Sequence, residues 1–254
     1  MNKTKILSVV IALAIISTSC QKNKNNAGLY KGPEVTMGHG KAYAWVNVGN
    51  DSKTTSFGIT ITKQALEHLP EHGQGHDLMS EYVLAFPEEI SATPFRHVLV
   101  NWNPEGHEPA GIYDVPHFDF HFYTINSTER QQIPSWETDS ASFKNVPGPA
   151  YFPANYLYLG GGIPQMGAHL IDITSPELHG SPFKETFIYG SYAGKVIFLE
   201  TMVERNFFEA AQLSRDVPRP EKVQQQGMYP KHYRIVKDAN SYSIIFDDLE
   251  FRAQ

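Results

Sequence analysis

The stretch that most constrains the fold is Pro116-His117-Phe118-Asp119-Phe120-His121-Phe122-Tyr123. Side chains alternate across a β-strand, so a strand here puts Phe118, Phe120 and Phe122 on one face and His117, Asp119, His121 and Tyr123 on the other. The phenylalanine face demands a hydrophobic core, which means a sheet with at least one covered side. The opposite face lacks the Lys, Glu, Thr and Ser of an ordinary solvated strand. Two imidazoles flanking a carboxylate are the ingredients of a metal site or an acid/base centre, or else of a hydrogen-bonded polar cluster.

Short alternating segments bounded by Gly and Pro recur along the rest of the chain. Residues 42–48, 57–62, 81–86, 95–102, 155–159, 186–189, 195–203, 233–236 and 242–246 read as strands. Hairpins are expected between 42–48 and 57–62, between 186–189 and 195–203 around Gly190 and Gly194, and between 233–236 and 242–246. Helical signals are few: a short helix at 63–69, capped by Thr62 and stopped by Pro70, and a short helix or irregular segment at 207–213. The polar 126–132 and Pro-rich 145–153 read as an ordered loop or lid. The expectation is a mainly β fold, an antiparallel β-sandwich or a cupin-like barrel with one or two short helices.

The N-terminus reads as a targeting segment. Lys3 and Lys5 form a positive region, residues 6–16 an apolar run too short to span a bilayer, and Ser17-Thr18-Ser19 a small-residue run before Cys20. The position of Cys20 resembles the lipobox of bacterial lipoproteins, in which the thiol is lipidated, as with palmitate, and becomes the new N-terminus; Ser17 stands where that motif usually has an aliphatic residue. The alternative is an ordinary secretory signal cleaved nearby. The expected organisation is a lipoprotein-type signal peptide at 1–20, a polar tether at 21–33 and one β-rich domain at 34–254. Such a chain belongs to the bacterial cell envelope, lipid-anchored on the periplasmic or outer-membrane side.

Composition removes other chemistries. Cys20 is the only cysteine, so with its thiol lipidated there is no disulfide, thiol nucleophile or Cys-ligated metal. A formal net charge of −6 without a basic run argues against nucleic acid. The partners expected are the membrane, a small-molecule ligand or further copies of the chain, since open sheets leave unpaired edges.

Several residues outside the central strand have chemistry to offer. Gly160-Gly161-Gly162 and the turn at Pro164 and Gly167 deliver His169 to a defined position. Glu200 shares a strand face with Val196, Phe198 and Met202, and a carboxylate buried among them needs a cation, a histidine or an arginine. His117, His121, His169 and Glu200 together form a candidate set for a divalent transition metal, whether Zn, Fe, Mn, Ni or Cu. Asp119 then serves as a supporting or alternate ligand, and Tyr123 as a hydrogen-bond donor at the wall; either is a candidate for managing protons. His107, in a Gly/Pro-rich loop, is an outer ligand, a substrate contact or simply a loop histidine. His68, His72 and His76 recur every four residues, but Pro70, Gly73 and Gly75 break the helix that would stack them, leaving a polar loop.

Two family resemblances follow from these residues. Pro164-Gln165-Met166-Gly167-Ala168-His169 is similar to the second histidine motif of cupins, departing from it by one residue, and implies a cupin-like architecture more than a ligand set. The combination of Trp102-Asn103-Pro104, Gly106-His107, Pro116 to Tyr123, Met166-Gly167-Ala168-His169 and Gly227-Met228-Tyr229-Pro230 looks like an uncharacterised family of exported bacterial proteins. That likeness implies one domain and no particular reaction. Two readings follow: a metal-binding envelope lipoprotein, either a binding protein or a metal-dependent enzyme of unknown reaction, and a non-enzymatic binding or structural module whose His/Asp strand is a packed polar cluster.

Overall fold

The structure is a computed structural model that describes residues 26–72, 80–210 and 212–254. The expected leader, Cys20 and the start of the tether lie outside the described residues, as does His76. In chain order the strands are β1 (Gly28–Lys31), β2 (Val35–Met37), β3 (Gly40–Val48), β4 (Thr54–Thr62), β5 (Ser80–Ala85), β6 (His97–Asn103) and β7 (His117–Tyr123). There follow β8 (Tyr156–Tyr158), β9 (Ala168–Asp172), β10 (Glu185–Tyr192), β11 (Lys195–Glu204), β12 (Leu213–Asp216), β13 (Gly227–Lys237) and β14 (Ser241–Arg252). The helices α1 (Ser127–Gln131), α2 (Trp136–Lys144) and α3 (Arg205–Ala210) are short.

These strands form two antiparallel seven-stranded sheets. One runs β1-β3-β4-β14-β13-β12, with β2 also pairing β3; the other runs β5-β6-β7-β11-β10-β9-β8. The sheets pack as a β-sandwich. Phe118, Phe120 and Phe122 of β7 enter the shared core with Phe57 of β4 and Phe246 of β14, and the Phe122 and Phe246 rings meet edge to face at 4.6 Å. Each fully buried phenylalanine contributes about 1.5–3 kcal/mol. The core demand read from the sequence is thereby met, and it fixes which way the other face of β7 points: outward from the sandwich.

That outer face is not open to solvent. The segment from β6 to β7 and the segment from β7 to β9 fold over it, and every residue of β7 is buried. Two small apolar clusters form under this cover. One joins Leu99, Tyr123, Ile133, Phe143, Met166 and Phe198; the other joins Tyr113, Phe183, Ile188 and Met202. The His/Asp face lies between them.

Several elements differ from the sequence-based expectation. Residues 28–31, inside the expected tether, form β1 and pair with β3. The helix expected at 63–69 is a single 3-10 turn at Lys63–Leu66, because Thr62 gives its side chain to Lys41 N–H rather than to a cap. The hairpin turn lies at Ala193-Gly194, while Gly190 sits within β10 at a bulge. The polar stretch 126–132 contains α1, started by a capping box in which Asn126 accepts from Glu129 N–H and Glu129 accepts from Asn126 N–H.

Candidate metal centre

Register builds the site. On the outer face of the second sheet, Glu200 of β11 pairs directly with His121 of β7, and Met202 pairs with Asp119. His169 of β9 pairs with Gly190 of β10, whose missing side chain leaves room for the Phe198 ring. Glu200 Oε2 lies 3.5 Å from His121 Nε2 and 3.6 Å from His169 Nε2. Three residues distant in sequence thus converge on one point, and Glu200 is 1% exposed.

A second group stands beside the first. Asp119 Oδ1 lies 3.3 Å from His117 Nε2, and Asp119 Oδ2 lies 3.6 Å from His107 Nε2. Oδ2 also accepts a hydrogen bond from Asn103 Nδ2 at 2.8 Å. The four-residue set expected from the sequence therefore divides. His121, His169 and Glu200 form one triad, while His117 joins Asp119 and His107 in another. His107 and Asp119, outer members of the expected set, are central to this second triad.

Both triads fit a divalent transition ion. A tetrahedral ion held at 2.0–2.2 Å by imidazole and carboxylate sets neighbouring ligand atoms about 3.4 Å apart. The imidazole–carboxylate separations of 3.3–3.6 Å lie near that spacing, measured to one oxygen of Glu200 and to the two different oxygens of Asp119, and the three ligand atoms of each triad lie within 4.8 Å of one another. Each triad is two imidazoles and one carboxylate, a set used by catalytic zinc and by non-haem iron, and one that leaves coordination positions open.

The electrostatics of the two carboxylates are opposed. Burial, and after it the charge of Asp119, pushes the Glu200 carboxyl well above the ordinary carboxylate range. Burial acts on Asp119 in the same direction, but His117 and His107 outweigh it and hold that carboxyl well below the ordinary range. Burial lowers His107, but its contacts with Asp119 and then Glu108 outweigh that and raise it. Glu200 Oε2 makes no hydrogen bond among the described residues, so a cation there would offset the cost of burying it.

A cavity of about 350 Å³ opens onto both groups. Asp119, His107, His121, His169 and Glu200 line it, with apolar walls from Leu159, Ile163, Met166, Ile171, Ile188 and Met202. Tyr113 also lines it, with its hydroxyl donating to Glu177 at 3.3 Å. Burial, reinforced by Glu177, pushes the Tyr113 phenol upward, so it stays protonated. Tyr113 and Glu177 carry no motif in the sequence, and Asn103 stands there only within the family likeness, with no role at the site. Asn103 could have been found from β6, where it shares one strand face with His97, Leu99 and Asn101 in an otherwise apolar run.

Tyr123 stands apart from the cavity. Its hydroxyl donates to the Gln165 carbonyl at 3.3 Å, and its ring stacks on His97 at 4.9 Å. His68 and His72 keep to the surface loop: His68 stacks on His39 at 3.8 Å, and His72 reaches Glu105 at 3.3 Å.

Among known proteins, a family model described as "TTHB210-like: Hypothetical protein TTHB210" matches residues 50–102. The matched stretch runs from the turn before β4 to Trp102 of β6 and ends short of His107, β7, His169 and Glu200. It agrees with the expectation of an uncharacterised family at that level. No curated protein and no solved structure matches the chain, and the cupin likeness finds no support among them.

Proposed function

We propose that this protein is an exported, lipid-anchored metal-binding protein of the bacterial cell envelope, and that an ion held by His121, His169 and Glu200 serves a metal-assisted reaction on a small molecule. The observation that carries the metal reading is the buried Glu200 carboxylate, with its Oε2 3.5 and 3.6 Å from two imidazole nitrogens and no hydrogen-bond donor of its own. Such an oxygen is stabilised by a cation between it and the two imidazoles, a metal ion or a proton, and the metal satisfies both imidazole nitrogens at once. The cavity supplies the place for a substrate, and the open positions of a three-ligand site supply its access to the ion. The ligand set favours borderline divalent ions and does not rank them.

Lys3, Lys5, the apolar run and Cys20 support the lipid anchor. No helix among the described residues is long and apolar enough to cross a membrane. A Cys20→Ser variant that stays in the membrane fraction would remove that part of the proposal.

Elemental analysis of the purified protein tests the metal reading. The wild type should carry a transition metal that Glu200→Gln and His169→Ala each lose. Metal content near zero in all of them would refute it and favour the second reading, a non-enzymatic envelope module in which these histidines are structural. The observation favouring that alternative is the contact of Asp119 Oδ1 with His117 Nε2 at 3.3 Å, which an ion pair would explain without metal.

A further inference from the structure

We propose that His107, His117 and Asp119 form a second metal site, so that the cavity is faced by two ions rather than one. The proposal goes beyond the centre at His121, His169 and Glu200 and stands on different atoms. His117 is fully buried, and its Nδ1 lies 2.7 Å from the Val115 carbonyl. A carbonyl only accepts, so Nδ1 carries the proton. His107 repeats the arrangement, with Nδ1 2.7 Å from the Glu108 carbonyl. In both rings Nε2 is thereby aimed at Asp119, 3.3 Å away for His117 and 3.6 Å for His107.

This is the pattern in which metal-ligating histidines are held, one nitrogen tethered to backbone and the other presented to the ion. Asp119 is held in the same manner by Asn103. Neither His117 Nε2 nor Asp119 Oδ1 has a hydrogen bond among the described residues, although both are buried. A lone pair facing a carboxylate oxygen at this distance requires a cation between them, either a proton on the imidazole or a metal ion. A third ligand from His107, arriving from a separate loop, is needed by a metal and superfluous to a simple proton-bridged pair.

The two triads are neighbours because β7 supplies both. His117 and Asp119 belong to one and His121 to the other, and alternate residues of a strand lie about 6.7 Å apart. Asp119 and His107 line the same cavity as His121, His169 and Glu200. A ligand filling that cavity would meet both ions, and two ions can divide the tasks of activating water and polarising a substrate oxygen.

Metal stoichiometry tests the proposal. The full-length protein, purified in detergent, is loaded separately with Zn²⁺ and Co²⁺, freed of excess, and analysed for metal per chain, with circular dichroism confirming the fold. Two equivalents are expected in the wild type, one for each triad. Asp119→Asn and His117→Gln should each hold one, and Glu200→Gln the other one. Cobalt absorption should lose a different part of its visible spectrum in the two classes of variant. A single equivalent in the wild type, lost in Glu200→Gln and kept in Asp119→Asn, overturns the second site and leaves the first standing. A single equivalent lost only in Asp119→Asn overturns the two-ion claim and the first centre, and no binding overturns both. If the Asp119 and His117 variants fail to fold, the wild-type count alone decides.

Discussion

Replacing Glu200 by Gln should raise the melting temperature of the metal-free protein and lower that of the metal-loaded protein. Glu200 is 1% exposed, lacks a hydrogen-bond donor at Oε2, and is pushed upward by burial and then by Asp119. A carboxyl raised in the folded state binds its proton more tightly folded than unfolded, so the metal-free protein loses stability as pH climbs above the unfolded value of about 4.3. Gln keeps the shape and carries no charge. An unsatisfied buried group costs about 1–3 kcal/mol, and 1 kcal/mol moves the melting point of a chain this size by roughly 2–4 °C. The metal-free variant should therefore melt roughly 5 °C higher above neutral pH. With metal at a hundredfold excess over its dissociation constant, the wild type gains about 2.7 kcal/mol that the variant largely lacks, and the order reverses. Scanning calorimetry with chelator and with Zn²⁺ gives both values. A variant that melts below wild type in both conditions refutes the idea of a carboxylate awaiting a cation.

Three further outcomes are expected. Gly190→Ala places a methyl group into the Phe198 ring, which packs 4.8 Å from His121 and 5.3 Å from His169; metal affinity should fall about tenfold, as for a lost supporting contact, in isothermal titration of a folded variant. His97 is pushed down to about 4 by burial and by Arg130, so it supports the fold above its unfolded value near 6.5 and withdraws roughly 3 kcal/mol as pH falls toward 4. His97→Phe should flatten that acid limb in urea unfolding measured against pH. Phe120→Ala, at a fully buried ring packed against Phe118 and Phe208, should cost about 3–5 kcal/mol, read from the urea midpoint.

The two-faced character of β7 was legible because strand periodicity is local, and the phenylalanines announce their core without reference to any other segment. The same logic exposed Glu200, a lone carboxylate on an apolar strand face, and His169, placed by the turn at Gly167. Register was not legible. Whether His117 or His121 faces Glu200 depends on how β7 lies against β11, and no local pattern encodes that, which is why one expected set of four became two sets of three. The loop bearing His107 folds back over β7, bringing its ring 4.7 Å from that of His117 and its Nε2 3.6 Å from Asp119, a tertiary choice invisible in its composition. Helices α1 and α2 escaped notice because they bury little: among their residues only Arg130 and Phe143 are buried, which leaves no apolar stripe. Strands β1, β2, β9 and β12 are three to five residues long and borrow their pairing from longer neighbours, so alternation had too few positions to declare itself.

The most direct test of the metal claim is anomalous X-ray diffraction from crystals grown with Zn²⁺. The account predicts a peak within about 2.0–2.2 Å of His121 Nε2, His169 Nε2 and a Glu200 oxygen. A map without density there, with the Glu200 carboxyl hydrogen-bonded to His121 or His169 instead, would contradict it.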